Sequence, residues 1–280
     1  MALSPATRMP LAMSASASAA SLHVTRVGSV TLGRLARAPK EPARVHSVFE
    51  RAINLHWHDG HLLTLQGPGL LAAPFAVALS ALPLKSSLAP GTIVYGSCLD
   101  WTQAESVTLE VQTSRLAVPA DVLPKARGAA TLRAGRGRRS RRALADSLVE
   151  RDGNAFAAAA TDLIGLGEGL TPAGDDCVVG ALAAIHHLAP NWLEPHAVRA
   201  IAEAARHRTT DVARDFLLEA LAGRFAEPVL AILAAPSAAR ATDAARRLLA
   251  MGATSGADTL DGLRLAGCAL ARRAAAPPIV

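Results

Sequence analysis

Five glycines crowd residues 165–180, GLGEGLTPAGDDCVVG, and no other segment so narrows the folds open to the chain. Glycine at this density permits positive φ and close backbone approach, which neither an Ala-rich bundle nor a solvated surface loop requires in such number. Thr171 and Pro172 follow the alternation Gly165, Gly167, Gly169; then Gly174, Asp175 and Asp176 open an apolar run with helical spacing. The pattern predicts a loop feeding a helix N-terminus, with Asp175 and Asp176 as caps. Unpaired N–H groups at such a start favour an anion, while carboxylates accept from N–H donors, so the segment suits a polar ligand with acidic and NH-bearing ends.

The arrangement recurs near the C-terminus as GATSGADTLDG, residues 252–262. Setting Gly174 on Gly256 also sets Asp176 on Asp258 and Gly180 on Gly262, so G-x-D-x-x-x-G occurs twice. In each copy the Asp and the later Gly stand four apart on one helical face, where glycine lets a second backbone come close. A third helix start, Arg208-Thr209-Thr210-Asp211, offers hydroxyl caps and a guanidinium suited to a phosphate or carboxylate. Together the three predict one composite site. Asp175, Asp176 and Asp258 are its expected catalytic carboxylates, and Gly167, Gly169, Thr171, Gly174, Arg208, Thr209, Thr210, Thr254, Ser255 and Gly256 its expected substrate-binding residues.

With 280 residues and 51% hydrophobic side chains, the chain can bury one large or two modest cores. Short β-like runs at 22–32, 61–65, 92–95 and 106–116 are punctuated by Gly and Pro, with one helix expected over 71–82. Asp59 and Gly60 lie between NLHWH and HLLTL, the turn chemistry of a β-hairpin. Residues 119–143 carry Lys125, Arg127, Arg133, Arg136, Arg138, Arg139, Arg141 and Arg142, and read as a basic linker or exposed loop. Helical spacing then dominates 144–160, 175–188, 195–206, 211–222, 227–233, 238–250 and 257–273. The expected fold is α+β. A β-rich N-terminal domain, 22–118, precedes an α-helical domain, 144–274, that carries the Gly, Thr and Asp motifs, with tails at 1–21 and 275–280.

A formal charge of +6 invites nucleic acid as a partner, yet eight of the 29 basic residues lie between Lys125 and Arg142, where no acid occurs. The remainder holds 21 basic against 23 acidic side chains. Aromatics are 3% of the chain, too few for base-stacking platforms, so the run reads as a solvated loop and nucleic acid is not the expected partner. Cys98, Cys177 and Cys268 form no CxxC, which argues against a disulfide scaffold or structural zinc and for a reducing cytoplasm. No apolar run approaches the roughly 20 residues of a spanning helix, and Pro10 and the serines among the first twenty residues make a poor secretory signal. A soluble cytoplasmic protein without a membrane partner is expected. The H-x-H-x-x-H of His56, His58 and His61 reads as hairpin surface rather than a metal site, and Cys177 as a buried, inert thiol.

The phrases GLGEGLTPAGDDCVVG, RTTDVARDFLLEALAGRF, MGATSGADTLDGL and SVFERAINL together resemble a bacterial family that includes the third subunit of oxamate carbamoyltransferase, an enzyme of anaerobic allantoin breakdown. The resemblance spans roughly residues 45–270. It implies a transferase component that works with two partner subunits to exchange oxamate and carbamoyl phosphate for oxalurate and phosphate. The chain departs from the family pattern at Ala173 and Ala213, where Ser is frequent, and at Cys177, where a bulky apolar residue is frequent. Carbamoyl phosphate presents a dianionic phosphate, a carbonyl oxygen that gains charge, and an NH₂ group. Helix N-termini and Arg208 suit the first two. Asp175, Asp176 and Asp258 suit the third, or hold a divalent cation such as magnesium through water; no other cofactor is implied. Two other readings stand beside this one: a non-catalytic metabolite-binding or scaffold subunit, and nucleic acid binding through the run from Arg133 to Arg142.

Overall fold

The computed structural model describes residues 22–37, 40–83, 88–112, 118–125 and 128–275, so the expected N-terminal tail lies outside the described residues. The chain divides into two compact units, residues 1–109 and 110–280.

In the first unit one sheet is built from β1 (Leu22–Gly28), β2 (Pro42–Val48), β3 (Ala52–His56), β4 (Leu62–Gln66), β5 (Ala76–Leu79), β6 (Ile93–Tyr95), β7 (Leu99–Asp100) and β8 (Glu105–Val107). Its order is β6-β2-β3-β4-β5-β1-β7, with β8 also pairing β1. The hairpin predicted at Asp59-Gly60 joins β3 to β4 with His56 opposite Leu62, and Gly60 takes the φ of +82° that the turn demands. The expected helix at 71–82 is instead β5, which pairs parallel with β4 and antiparallel with β1. Its four residues are all buried, and a short run covered on both faces shows no period-2 alternation to mark it as a strand. Conversely, the run at 22–32 is a strand only to Gly28; α1 (Ser29–Arg37) follows and buries Thr31 and Leu35. Of the strand expected at 106–116, β8 ends at Val107, and residues 113–117 lie outside the described residues. Val27, Ile53, Leu55, Leu65, Val77 and Leu79 form the core of this unit.

The second unit is helical: α2 (Gly135–Glu150), α3 (Gly153–Leu163), α4 (Ala173–Leu188), α5 (Pro195–Arg208), α6 (Asp211–Leu221), α7 (Glu227–Leu233), α8 (Ala238–Leu249) and α9 (Ser255–Ala275). Much of the expected basic loop is therefore helix. Arginine is a good helix former, and Arg136, Arg141 and Arg142 pair with Asp162, Asp261 and Asp146 on α3, α9 and α2. The single helix expected over 144–160 is broken by Arg151 at φ 64°, and the Asp152 carboxylate then caps α3 by accepting from the Ala155 N–H at 2.9 Å.

Helix α4 is the axle of this unit, buried along nearly its whole length, and α9 lies against it. Two glycines set that packing. A Cβ on Gly180 would collide with the Thr259 carbonyl oxygen of α9, and one on Gly262 with the Cys177 carbonyl oxygen of α4. The repeated glycines are thus where the two backbones touch, and Phe156, Leu182, Leu260 and Leu263 fill the core around them.

Candidate functional site

The first turn of α4 meets three other segments of the second unit. Gly165 and Gly167, at φ +78° and +131°, fold the glycine-rich loop back on the helix it precedes, so that the Gly174 N–H donates to the Leu166 carbonyl at 2.8 Å. Gly165 also lies so close to the Arg208 carbonyl that a Cβ there would collide with it. Thr210 caps α6 by accepting from the Ala213 N–H at 3.2 Å, and its hydroxyl donates to the Leu170 carbonyl, which ties the α5–α6 turn to the glycine-rich loop. The first turn of α9 completes the cluster through Ser255 and Asp258.

Three carboxylates stand at this junction, each almost wholly withdrawn from solvent. Asp175 Oδ2 accepts from the Gly165 N–H at 3.1 Å, and Oδ1 has no hydrogen-bond partner. Burial pushes the Asp175 carboxyl up to about 6, against the Gly165 N–H and the Thr209 hydroxyl, which favour the ionised form. Asp176 is driven well above the usual carboxylate range, by burial first and then by repulsion from Asp258 and Asp175; the hydroxyls of Ser255 and Thr171 act against this. Asp258 Oδ1 accepts from the Ala129 N–H at 2.7 Å, and burial raises this carboxyl too, opposed by that N–H, by Thr254 and by the charge of Arg141. Asp176 Oδ2 and Asp258 Oδ2, like Asp175 Oδ1, are buried without a partner. A polar atom left so is costly, and three in one place mark a site organised around something other than its own packing.

Most of the residues predicted from the sequence meet here, in altered roles. Asp175 and Asp176 sit in the first turn of α4 but do not cap it; Pro172 is the N-cap and offers no side-chain acceptor. The N–H groups of Gly174, Asp175 and Asp176 donate to the Leu166 and Pro172 carbonyls, and that of Gly256 to Met251. The helix starts thereby lose most of the free donors that an anion would need. Thr171 and Ser255 are half-buried at the rim, whereas Gly169 and Thr254 are exposed, and the Arg208 side chain is exposed at the end of α5. The Thr209 hydroxyl is shielded and has no partner of good geometry. Cys177 is fully buried with its thiol pushed up to about 12 by burial, so it is no nucleophile.

Gly128, Ala129 and Arg141 belong to the junction and were not anticipated. A Cβ on Gly128 would collide with Asp258 Oδ1, the Ala129 N–H holds that oxygen, and Arg141 pairs with Asp261 one turn further along α9. The contributions of Gly128 and Ala129 are backbone ones, and their sequence signal was a single glycine in a basic stretch.

Two sequence families match the chain. Residues 163–267 match the family described as oxamate carbamoyltransferase subunit AllH, and residues 18–117 match the AllH family N-terminal domain. The first match contains α4, the α5–α6 turn and the start of α9, hence all three carboxylates; the second covers the β-rich unit. No curated protein and no solved structure matches. Among the described residues no helix is long and apolar enough to cross a membrane. With the two matches covering most of its length, the chain belongs to the AllH family, whose description is that of a subunit of oxamate carbamoyltransferase.

Proposed function

We propose that this chain is a working subunit of a carbamoyltransferase complex, joining two partner subunits and contributing the Asp175, Asp176 and Asp258 cluster to the transfer of a carbamoyl group from carbamoyl phosphate to the amide nitrogen of oxamate. The observation that carries this reading is the set of three buried carboxylates with one unpartnered oxygen each, where three predicted segments and Ala129 converge. In the reaction a C–N bond forms to the carbamoyl carbon, the C–O bond to phosphate breaks, and the amide nitrogen gives up a proton. The carbamoyl oxygen gains negative charge on the way.

Asp176, whose carboxyl burial and its two acidic neighbours push toward the protonated form, donates from that form a hydrogen bond to that oxygen. Asp258 Oδ2 accepts from the NH₂ group of the carbamoyl or amide moiety. Asp175, with a pKa of about 6, is mostly ionised at pH 7 and takes up the amide proton. Thr171 and Ser255 line the approach.

Asp176→Ala, which removes the donor where an asparagine NH₂ would keep one, tests this in the complex assembled with its partner subunits. Loss of a transition-state donor costs on the order of 10²-fold in kcat, with a melting temperature close to that of the wild type. A raised KM at unchanged kcat would make the chain a metabolite-binding subunit without a chemical role. Unchanged turnover would remove the cluster from the mechanism.

A further inference from the structure

Helices α2 and α9 diverge along one face and leave a groove of about 280 Å³. Its polar walls are Arg141 on α2 and Asp261, Arg264 and Arg272 on α9, and Leu265 and Ala269 contribute apolar surface. Arg141 is committed on two of its nitrogens, to Asp261 and to the Leu132 carbonyl at 3.3 Å, but its Nε is buried without an acceptor. The Nε of Arg264 is in the same state. Both Nε atoms are closed to water, so what each guanidinium offers the groove is its delocalised positive charge and its remaining N–H edge, which favour an acceptor with negative charge. Arg272 is exposed beside them. Asp146, the other acid of the groove, faces Arg142 at 3.5 Å, so the groove itself keeps an excess of positive charge.

We infer that this groove is a binding site for a small oxyanion of the phosphate or carboxylate class, held by Arg264 and Arg141 and steered by Arg272. The volume fits a ligand of that size rather than a nucleotide or a peptide segment. Charge also separates it from the carboxylate cluster. A dianion is disfavoured beside Asp175, which is mostly ionised at pH 7, and the N–H groups of Gly174, Asp175, Asp176 and Gly256 already have acceptors. The arginine groove has the opposite character, and its Asp261 lies one turn after Asp258 on α9. The inference concerns binding alone and stands whether or not the cluster performs carbamoyl transfer.

Calorimetric titration of the full chain with inorganic phosphate, and separately with oxamate, tests it. The expected result is saturable, salt-sensitive binding of at least one of the two. Arg264→Gln should weaken that binding tenfold or more, and Arg264→Lys should restore part of it, because an ammonium keeps the charge and loses the fork. Arg272→Gln, at an exposed position that leaves packing intact, should weaken it several-fold, and Asp176→Asn should leave it within twofold. Absence of binding by the wild-type chain for both anions, or binding that survives Arg264→Gln and Arg272→Gln but is lost in Asp176→Asn, overturns the inference.

Discussion

Helices α4 and α9 begin alike and differ in what surrounds them. Each position of one start maps on the other at an offset of 82 residues: Pro172 on Thr254 just before the helix, Ala173 on Ser255 as its first residue, then Gly174 on Gly256, Asp176 on Asp258 and Gly180 on Gly262. The contacts obey the same offset. Gly174 and Gly256 each press on a carbonyl of the preceding helix, Leu163 and Leu248, while Gly180 sits on Thr259 and Gly262 on Cys177, a pair that exchanges under the shift. The two helices therefore cross about a local pseudo-twofold axis. The carboxylates do not share that equivalence. Asp258 has the Ala129 N–H on one oxygen and Arg141 nearby, whereas Asp176 is flanked by two other carboxylates and two hydroxyls, and Asp175 has only Ala257 as its counterpart. Backbone packing is common to both halves, and the acids are placed differently: Asp175 and Asp176 are adjacent on α4 without a cationic partner among the described residues, whereas the second acid of α9, Asp261, pairs with Arg141 and has Val179 as its counterpart.

The sharpest way to break this comparison is at the crossing. Gly180→Ala and Gly262→Ala each drive a methyl into a carbonyl of the facing helix, where no flexible side chain can give way. Each should cost about 3 kcal/mol or more, which in a domain of this size lowers Tm by roughly 6–12 °C. Thermal unfolding of the two variants should give matching losses. A loss confined to one of them would show that only one glycine is a true backbone contact and that the offset is coincidental.

The extra carboxylate of α4 provides the next test. Asp175 has a folded-state pKa of about 6 against 3.8 for the solvent-exposed carboxyl of the unfolded chain, so its protonated form is the one the fold favours. Its contribution is neutral to stability below pH 3.8 and becomes a penalty as pH rises through 6, about 3 kcal/mol once the group is ionised. Subtracting the stability of Asp175→Asn from that of the wild type at each pH should therefore give a difference that falls between pH 4 and pH 6.5 and levels off above. A difference independent of pH would mean that Asp175 is not desolvated in the fold. No matching slope is expected at Ala257, which has nothing to titrate.

How much of this was legible in the sequence follows the same division. The boundaries of α4 to α9 are carried by apolar spacing and fall within a few residues of expectation, and both glycine-Asp phrases mark true helix starts. Failures lie where the signal is not in side-chain pattern. β5 has none because both faces are covered, and α2 hides its helix behind arginines and glycines that resemble a loop. In the site, the Asp, Thr and Ser residues were recognisable by type. Gly128 and Ala129 were not, because what they supply to Asp258 is backbone from 129 residues away, and every residue but proline has an N–H. The capping role expected of Asp175 and Asp176 failed because the glycine-rich loop folds back and Leu166 and Pro172 supply the acceptors instead.

The smallest effect probes the comparison at one hydroxyl. In α9 the first residue is Ser255, whose hydroxyl stands beside Asp176; in α4 the matching residue is Ala173, and the Oδ2 of the matching Asp258 has no partner. Under the pseudo-twofold relation, Ala173→Ser puts a hydroxyl within reach of that oxygen. The new bond should add about 0.5–1.5 kcal/mol, the usual net worth of a hydrogen bond, and raise Tm by roughly 1–6 °C. A double-mutant cycle with Asp258→Ala isolates it: the gain should vanish when the accepting oxygen is gone. If Asp258 Oδ2 is also the acceptor for the substrate NH₂, the stabilised variant should turn over more slowly in the complex, because the serine hydroxyl then occupies the oxygen that the substrate needs. Stabilisation that persists in the Asp258→Ala background would place the new hydroxyl elsewhere and confine the symmetry of α4 and α9 to their glycines.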